Sequence, residues 1–85
     1  MILGVLVWVL RVSSRPRHRK ILGEQVRLYR KLNRLTQEKL AEKAELVPSY
    51  ISDVERGLVN ISVDALVRIA KALSVELTDL VRGIK

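Results

Sequence analysis

Cysteine is absent from the 85-residue sequence, and histidine occurs once, as His18. Without cysteine the chain forms no disulfide and no thiolate metal site, and a single histidine argues against structural zinc. The four glycines are dispersed, so there is no glycine-rich loop to bind phosphate. No partner for acid–base chemistry lies near His18. We therefore expect no enzyme activity, metal or cofactor, and the lack of cysteine favours a reducing compartment, the cytoplasm.

Acidic residues are scarce in the first part of the chain. Residues 1–35 contain nine lysines or arginines against one acid, Glu24, whereas the remainder is close to neutral. The whole chain has a formal net charge of +7. Such a basic N-terminal part indicates a polyanionic partner, with nucleic acid as the first candidate. An anionic membrane surface is the alternative partner.

The chain is too short for two cores, so one small domain is expected. We assign residues 1–20 to an apolar segment with a basic arm, and residues 21–85 to the domain. Residues 1–10 are apolar throughout, but they are about half of what a membrane-spanning helix needs. Their β-propensity favours a strand that packs on the domain or pairs in a dimer. A disordered or adventitious extension and a shallow membrane anchor are the less favoured interpretations.

Serine, proline and dense positive charge interrupt the apolar pattern in residues 11–20, which predicts a linker. The functional interpretation is a basic arm that lies along DNA phosphates or enters a groove, with Arg17 and Arg19 among its contacts. A solvated tail is the alternative.

Helical periodicity follows the arm. It predicts helices over residues 21–33, 37–44, 48–56, 63–73 and 79–82, and no strand beyond residue 10. Thr36, Ser62 and Thr78 are the expected N-caps of the second, fourth and fifth helices. Gly57 is expected to end the third helix in a left-handed conformation. The predicted buried positions are Leu22, Val26, Tyr29 and Leu32 or Asn33 in the first helix, and Val63, Leu66, Ile69, Ala70 and Leu73 in the fourth.

Residues 36–57 read as two short helices joined by a tight turn. Ile51 and Val54 are three residues apart and share one face of the second helix, and Pro48 suits its first position. Two such helices with a three- to four-residue turn have the outline of a helix-turn-helix, whose second helix can enter the DNA major groove.

The motifs of residues 22–83 resemble the lambda-repressor-like helix-turn-helix domain, also called the Cro-type or XRE-type domain. This resemblance implies an all-α, compact five-helix fold and a DNA-binding transcriptional regulator. A narrower similarity is to the small controller regulators of restriction–modification operons. The residues that carry the resemblance are Thr36-Gln37-Glu38, Leu40-Ala41, Tyr50-Ile51-Ser52, Glu55-Arg56-Gly57, Leu66, Ile69-Ala70, Ala72-Leu73 and Leu77.

The resemblance also implies roles for individual residues. The third helix would read bases, Gln37 would contact phosphate and brace the reading side chains, and Arg30 would form an ion pair with Glu55. Operator DNA would be bound by a homodimer. The implied DNA contacts, with those of the arm, are Arg17, Arg19, Arg27, Thr36, Gln37, Lys39, Pro48, Ser49, Ser52, Asp53, Arg56 and Asn60, and the expected dimer surface is Leu77, Leu80, Val81 and Ile84.

Four positions depart from the family pattern. Val47 stands where the family usually caps the third helix with serine or threonine. Glu45 occupies a turn position where glycine is usual, so a residue with a side chain must take a left-handed conformation there. Pro48 and Asp53 replace polar or basic side chains that often read bases. These departures leave a second hypothesis open, in which the chain is an antitoxin-like or scaffolding module that binds a protein partner and binds DNA weakly.

Overall fold

The computed structural model describes residues 16–85, and these residues form five helices. In chain order they are α1 Arg17–Leu32, α2 Gln37–Ala44, α3 Pro48–Glu55, α4 Val63–Leu73 and α5 Leu77–Leu80. Within residues 16–85 there is no strand, and the predicted all-α architecture is confirmed. The interpretations made for residues 1–15, which include the apolar segment and most of the arm, lie outside the described residues.

One apolar core holds the helices together. α2 packs against α3 and α4, while α1 crosses α3 and also touches α4 and α5. Each of the longer helices turns an apolar stripe inward, which removes that stripe from water. The core is formed by Leu22, Val26, Leu40, Ala41, Ala44, Ile51, Val54, Ile69, Ala70, Leu73 and Leu80.

Helix α1 begins at Arg17, four residues earlier than predicted. The preceding Pro16 has an extended conformation, with φ −57° and ψ 138°, and sets the boundary. No helix breaker lies between Pro16 and Ile21, so the basic residues continue the helix that follows them. The second half of the predicted linker is therefore helical, and His18 is exposed on its first turn.

The last buried position predicted for α1 is wrong, because Leu32 and Asn33 are both exposed. The Asn33 side-chain amide nevertheless donates hydrogen bonds to Tyr29 O at 2.8 Å and to Leu73 O at 3.2 Å. The contact with Leu73 joins the C-terminal ends of α1 and α4.

Gly23 allows α1 to approach the end of α3 closely. A Cβ atom at this position would clash with Val54 O and would lie 2.6 Å from Glu55 O. No real Cβ contact is that short, so only glycine permits this crossing. Nearby, Gly57 ends α3 with a φ of 72°, as predicted.

Four local expectations were wrong. Val63 is exposed and Ala65 is buried instead, because the first residue of α4 lies beyond the core. The last helix spans Leu77–Leu80 and not residues 79–82. Its N-cap is Glu76 and not Thr78, since the Glu76 N–H donates to Asp79 Oδ2 at 3.0 Å. α3 also ends one residue earlier than predicted, with Arg56 as its C-cap.

Candidate nucleic-acid interface

The turn between α2 and α3 contains a residue, Glu45, whose backbone has the left-handed conformation. Glu45 has φ 57° and ψ 43°, the conformation expected from its place in the turn. Its N–H donates to Glu42 O at 3.2 Å, and the Leu46 N–H donates to Ala41 O at 2.8 Å. These bonds satisfy carbonyls that the end of α2 would otherwise leave free. Val47 then returns to extended backbone, with φ −88° and ψ 148°, and α3 begins.

The N-terminus of α2 is capped as predicted. The Lys39 N–H donates to Thr36 Oγ1 at 3.0 Å. The first two N–H groups of α2, at Gln37 and Glu38, precede any possible acceptor within the helix. They lie at an open groove. This groove is lined by Arg30, Thr36, Gln37, Glu38, Pro48, Ser49 and Ser52.

A paired arginine and glutamate fix α1 against α3. Arg30 Nε donates to Glu55 Oε2 at 2.6 Å, and Arg30 Nη2 donates to Glu55 Oε1 at 3.0 Å. The side chains are only 13% and 4% exposed, so water competes weakly for these bonds. The ion pair expected between the two helices is present, and it is a buried pair, not a solvated one.

Two further hydrogen bonds extend this pair into a network. Arg30 Nη1 donates to Leu35 O at 2.8 Å, in the loop before α2. Gln37 Nε2 donates to Glu55 Oε1 at 3.2 Å. The network thereby joins α1, the loop, α2 and α3 at the wall of the groove. Sequence reasoning did not find the bonds of Leu35 and Gln37, because they depend on how three helices converge.

The predicted reading residues lie on one exposed face of α3. Pro48 and Ser49 are exposed on its first turn, and Ser52 and Asp53 are half-buried on the second. Arg56 and Asn60 are exposed beyond its C-terminal end. The structure therefore brings Pro48, Ser49 and Ser52 to the same groove as Thr36 and Gln37. The other candidates on these two helices and after α3 do not line this groove, namely Lys39, Asp53, Arg56 and Asn60.

The basic candidates on α1 divide into two groups. Arg27 is exposed three residues before Arg30, so it shares a side of α1 with the network. Arg17 borders a different hollow, together with Gly83 and Lys85. Arg19 is half-buried, and its Nε finds no hydrogen-bond partner among the described residues. The structure does not bring Arg17 or Arg19 to the groove.

The expected dimer surface needs one correction. Leu80 is fully buried in the core, so it is unavailable to a second subunit. Leu77 is exposed, and Val81 and Ile84 are half-buried near it in the chain. A four-residue helix is too short for its periodicity to separate inward from outward positions.

Within residues 16–85, no three histidine or acidic side chains are grouped closely enough to hold a metal ion. In the same range, no helix is long and apolar enough to cross a membrane.

The short helices α2 and α3 are joined by a tight turn, and the Arg30–Glu55 ion pair holds α3 against α1. This arrangement defines a helix-turn-helix protein. The helix-turn-helix family HTH_3 matches residues 26–80, and the chain belongs to this family. The resemblance seen in the sequence is thereby confirmed.

Curated relatives and solved structures agree with this assignment. Control protein C.BamHI of Bacillus amyloliquefaciens is 44% identical over 63 residues, which cover 73% of this chain and 78% of that protein. Control protein C.SmaI of Serratia marcescens is 42% identical over 69 residues, which cover 79% of this chain and 82% of that protein. The restriction-modification controller protein C.AhdI from Aeromonas hydrophila superposes with a TM-score of 0.72 at 35% identity, over 73% of this chain and 94% of its own.

Proposed function

We propose that the protein is a sequence-specific transcriptional regulator that binds operator DNA as a homodimer. The observation that best supports this proposal is the groove between the N-termini of α2 and α3, which is bordered by Gln37 and Ser49. Helix N-termini present free N–H groups and partial positive charge, which suit phosphate oxygens. When α2 meets the DNA backbone in this way, α3 enters the major groove, as the second helix of this motif does.

Gln37 has a double role in this proposal. One N–H of its amide is held by Glu55, so the side chain is oriented before DNA binds. Its amide oxygen and second N–H remain for a phosphate or for a reading side chain. The exposed bases Arg27 and Lys39 supply further phosphate contacts. The proposed DNA-contacting residues are Arg27, Thr36, Gln37, Lys39, Pro48, Ser49, Ser52, Asp53, Arg56 and Asn60.

Selection of bound sequences from random DNA tests binding, specificity and half-site spacing together. We expect the full chain to enrich two related half-sites about one helical turn apart. Gln37→Ala should weaken binding to the selected site by about tenfold through lost hydrogen bonds. Thr78→Ala, at an exposed position of α5, is the matched control and should bind as the wild type does. Equal affinity for selected and shuffled DNA, abolished by moderate salt, would contradict sequence-specific regulation.

The second subunit of the proposed homodimer would bind the second half-site of the operator. A single domain of this size makes few base contacts, so two copies are needed for useful affinity. The proposed surface comprises Leu77, Val81 and Ile84 at the C-terminal end. Each is at least partly accessible in the isolated subunit.

Two leucines of α1 extend the proposed dimer surface. The Gln25 amide donates to Arg82 O at 3.4 Å, which places this side of α1 beside the C-terminal segment. Leu28 and Leu32 follow Gln25 by three and seven residues, so they lie on the same side of the helix, and both are exposed. An exposed apolar side of a helix is typical of a subunit interface.

Analytical ultracentrifugation tests the dimer. We expect the wild type to sediment as a dimer at micromolar concentration and Leu77→Glu to sediment as a monomer. The matched control is Val63→Glu, because Val63 is a more exposed apolar residue on the first turn of α4. A monomeric wild type, both free and on DNA, would refute the proposed assembly.

The kind of regulation follows from the relatives. Two of these relatives are control proteins, and C.AhdI is a restriction-modification controller. We therefore propose that this chain controls restriction-modification genes in the cytoplasm of a bacterium. A gel shift with DNA from upstream of its own gene, against shuffled DNA, tests this assignment. Binding of the upstream DNA no tighter than the shuffled DNA would oppose it.

A further inference from the structure

Val47 has no structural reason to be apolar. It immediately precedes α3, and its side chain is 61% exposed. The caps of α2 and α4, Thr36 and Ser62, each accept a hydrogen bond from their helix, whereas Val47 offers α3 no side-chain cap. A polar residue at this position would stabilise the helix. Valine therefore gains little burial and no side-chain hydrogen bond within the subunit.

The residues beside Val47 show what an apolar group can do there. Pro48 and Ser49 follow it directly and line the groove assigned to DNA. The exposed face of α3 then continues with Ser52 and Asp53. Pro48, Ser49, Ser52 and Asp53 include no arginine, lysine, asparagine or glutamine, so the bidentate contacts that read guanine or adenine are unavailable to these four residues.

In the major groove, the feature that apolar side chains recognise is the C5 methyl group of thymine. We infer that the Val47 side chain contacts a thymine methyl group in each half-site, which makes Val47 a specificity-determining residue. This inference rests on the proposed function, because it requires the N-terminus of α3 to enter the major groove. The family resemblance implied neither a DNA contact by Val47 nor a preference for thymine.

The size of the effect follows from the burial of one methyl group. Removing one methyl from water is worth about 0.8 kcal/mol, which corresponds to about fourfold in affinity. Two symmetric half-sites multiply this factor, so loss of both methyl groups should weaken binding by about 15-fold. Discrimination of this size is easily measured.

The test uses selected operator DNA in which thymines are replaced by deoxyuridine, one symmetric pair at a time. Uracil lacks only the methyl group and keeps the pairing and the O4 acceptor of thymine. We expect the wild type to lose about 15-fold in affinity at one pair of positions. Val47→Ser should bind thymine and uracil DNA equally at that pair. A free energy of unfolding no lower than that of the wild type excludes a folding defect in this variant.

Val63→Ser is the matched control, because it changes an exposed valine at the start of another helix. It should keep the thymine preference of the wild type. Specific operator binding with no preference for thymine at any position would refute the inference and leave the proposed function intact. Retention of the preference by Val47→Ser would also refute it. Absence of any specific DNA binding would refute both the inference and the proposed function.

Discussion

The close approach of α1 to α3 at Gly23 provides the sharpest stability prediction. Gly23→Ala adds a single methyl group to α1, and in an unconstrained helix interior this change stabilises by about 1 kcal/mol. Here the new Cβ atom would clash with Val54 O and would lie 2.6 Å from Glu55 O and 2.9 Å from Glu55 C. All three are backbone atoms, so no side-chain rotation can relieve the clash.

Relief requires α1 to move away from α3, by several tenths of an ångström or more. Overpacking of this kind costs about 1–3 kcal/mol in well-packed cores. The movement also strains the Arg30–Glu55 bonds, two helical turns further along α1. We expect a net destabilisation of about 2 kcal/mol, which lowers the Tm by about 8–16 °C in a domain of this size.

Urea and thermal unfolding followed by circular dichroism measure this effect. Lys31→Ala, at an exposed position of the same helix, serves as the control and should change the free energy of unfolding by less than about 0.5 kcal/mol. A Gly23→Ala variant as stable as the wild type, or more stable, would show that the crossing can relax without loss. The backbone atoms of Val54 and Glu55 would then not limit the size of the side chain at position 23.

Three further predictions concern stability and use the same assays. Arg30→Ala leaves the buried Glu55 carboxylate without its partner and should cost about 3–5 kcal/mol; a loss below about 1 kcal/mol would contradict burial of the pair. Glu45→Gly should stabilise by about 0.5–1 kcal/mol, because it relieves a left-handed conformation that costs a side-chain-bearing residue about 1–2 kcal/mol; an unchanged urea midpoint would count against strain at this turn. Ser62→Ala removes a cap hydrogen bond and should cost about 1 kcal/mol, whereas Thr78→Ala should cost less than about 0.5 kcal/mol; equal effects would oppose the assigned caps.

Local signals in the sequence located most of the fold. Thr36, Ser62 and Gly57 were recognised because a cap depends only on residues within one helical turn, and the structure agrees at each. The turn between α2 and α3 could be predicted equally well from the sequence, because its turn residues and apolar spacing are both short-range features. The start of α1 was missed because serine, proline and dense positive charge were taken to interrupt the helical pattern as far as residue 20.

The remaining errors concern contacts between distant parts of the chain. Whether Val63 or Leu80 is buried depends on which helix faces it, and periodicity alone does not specify the neighbour. The bond from Gln37 to Glu55 likewise requires α2 and α3 to meet at a particular angle. The Arg30–Glu55 pair was expected only because of the family resemblance, since the two residues are 25 positions apart in the sequence.

The network around Arg30 has a consequence for how the recognition surface can change over time. Among residues 16–85, the side chains of Ser49, Ser52 and Asp53 make none of the hydrogen bonds that hold α3 in place. Those bonds belong to Arg30, Gln37 and Glu55. Within α3, the residue that holds the helix in place, Glu55, is thus separate from the proposed reading residues, so under the proposed function their mutation should alter operator preference with little loss of stability. New specificities would then be accessible to this domain in single steps.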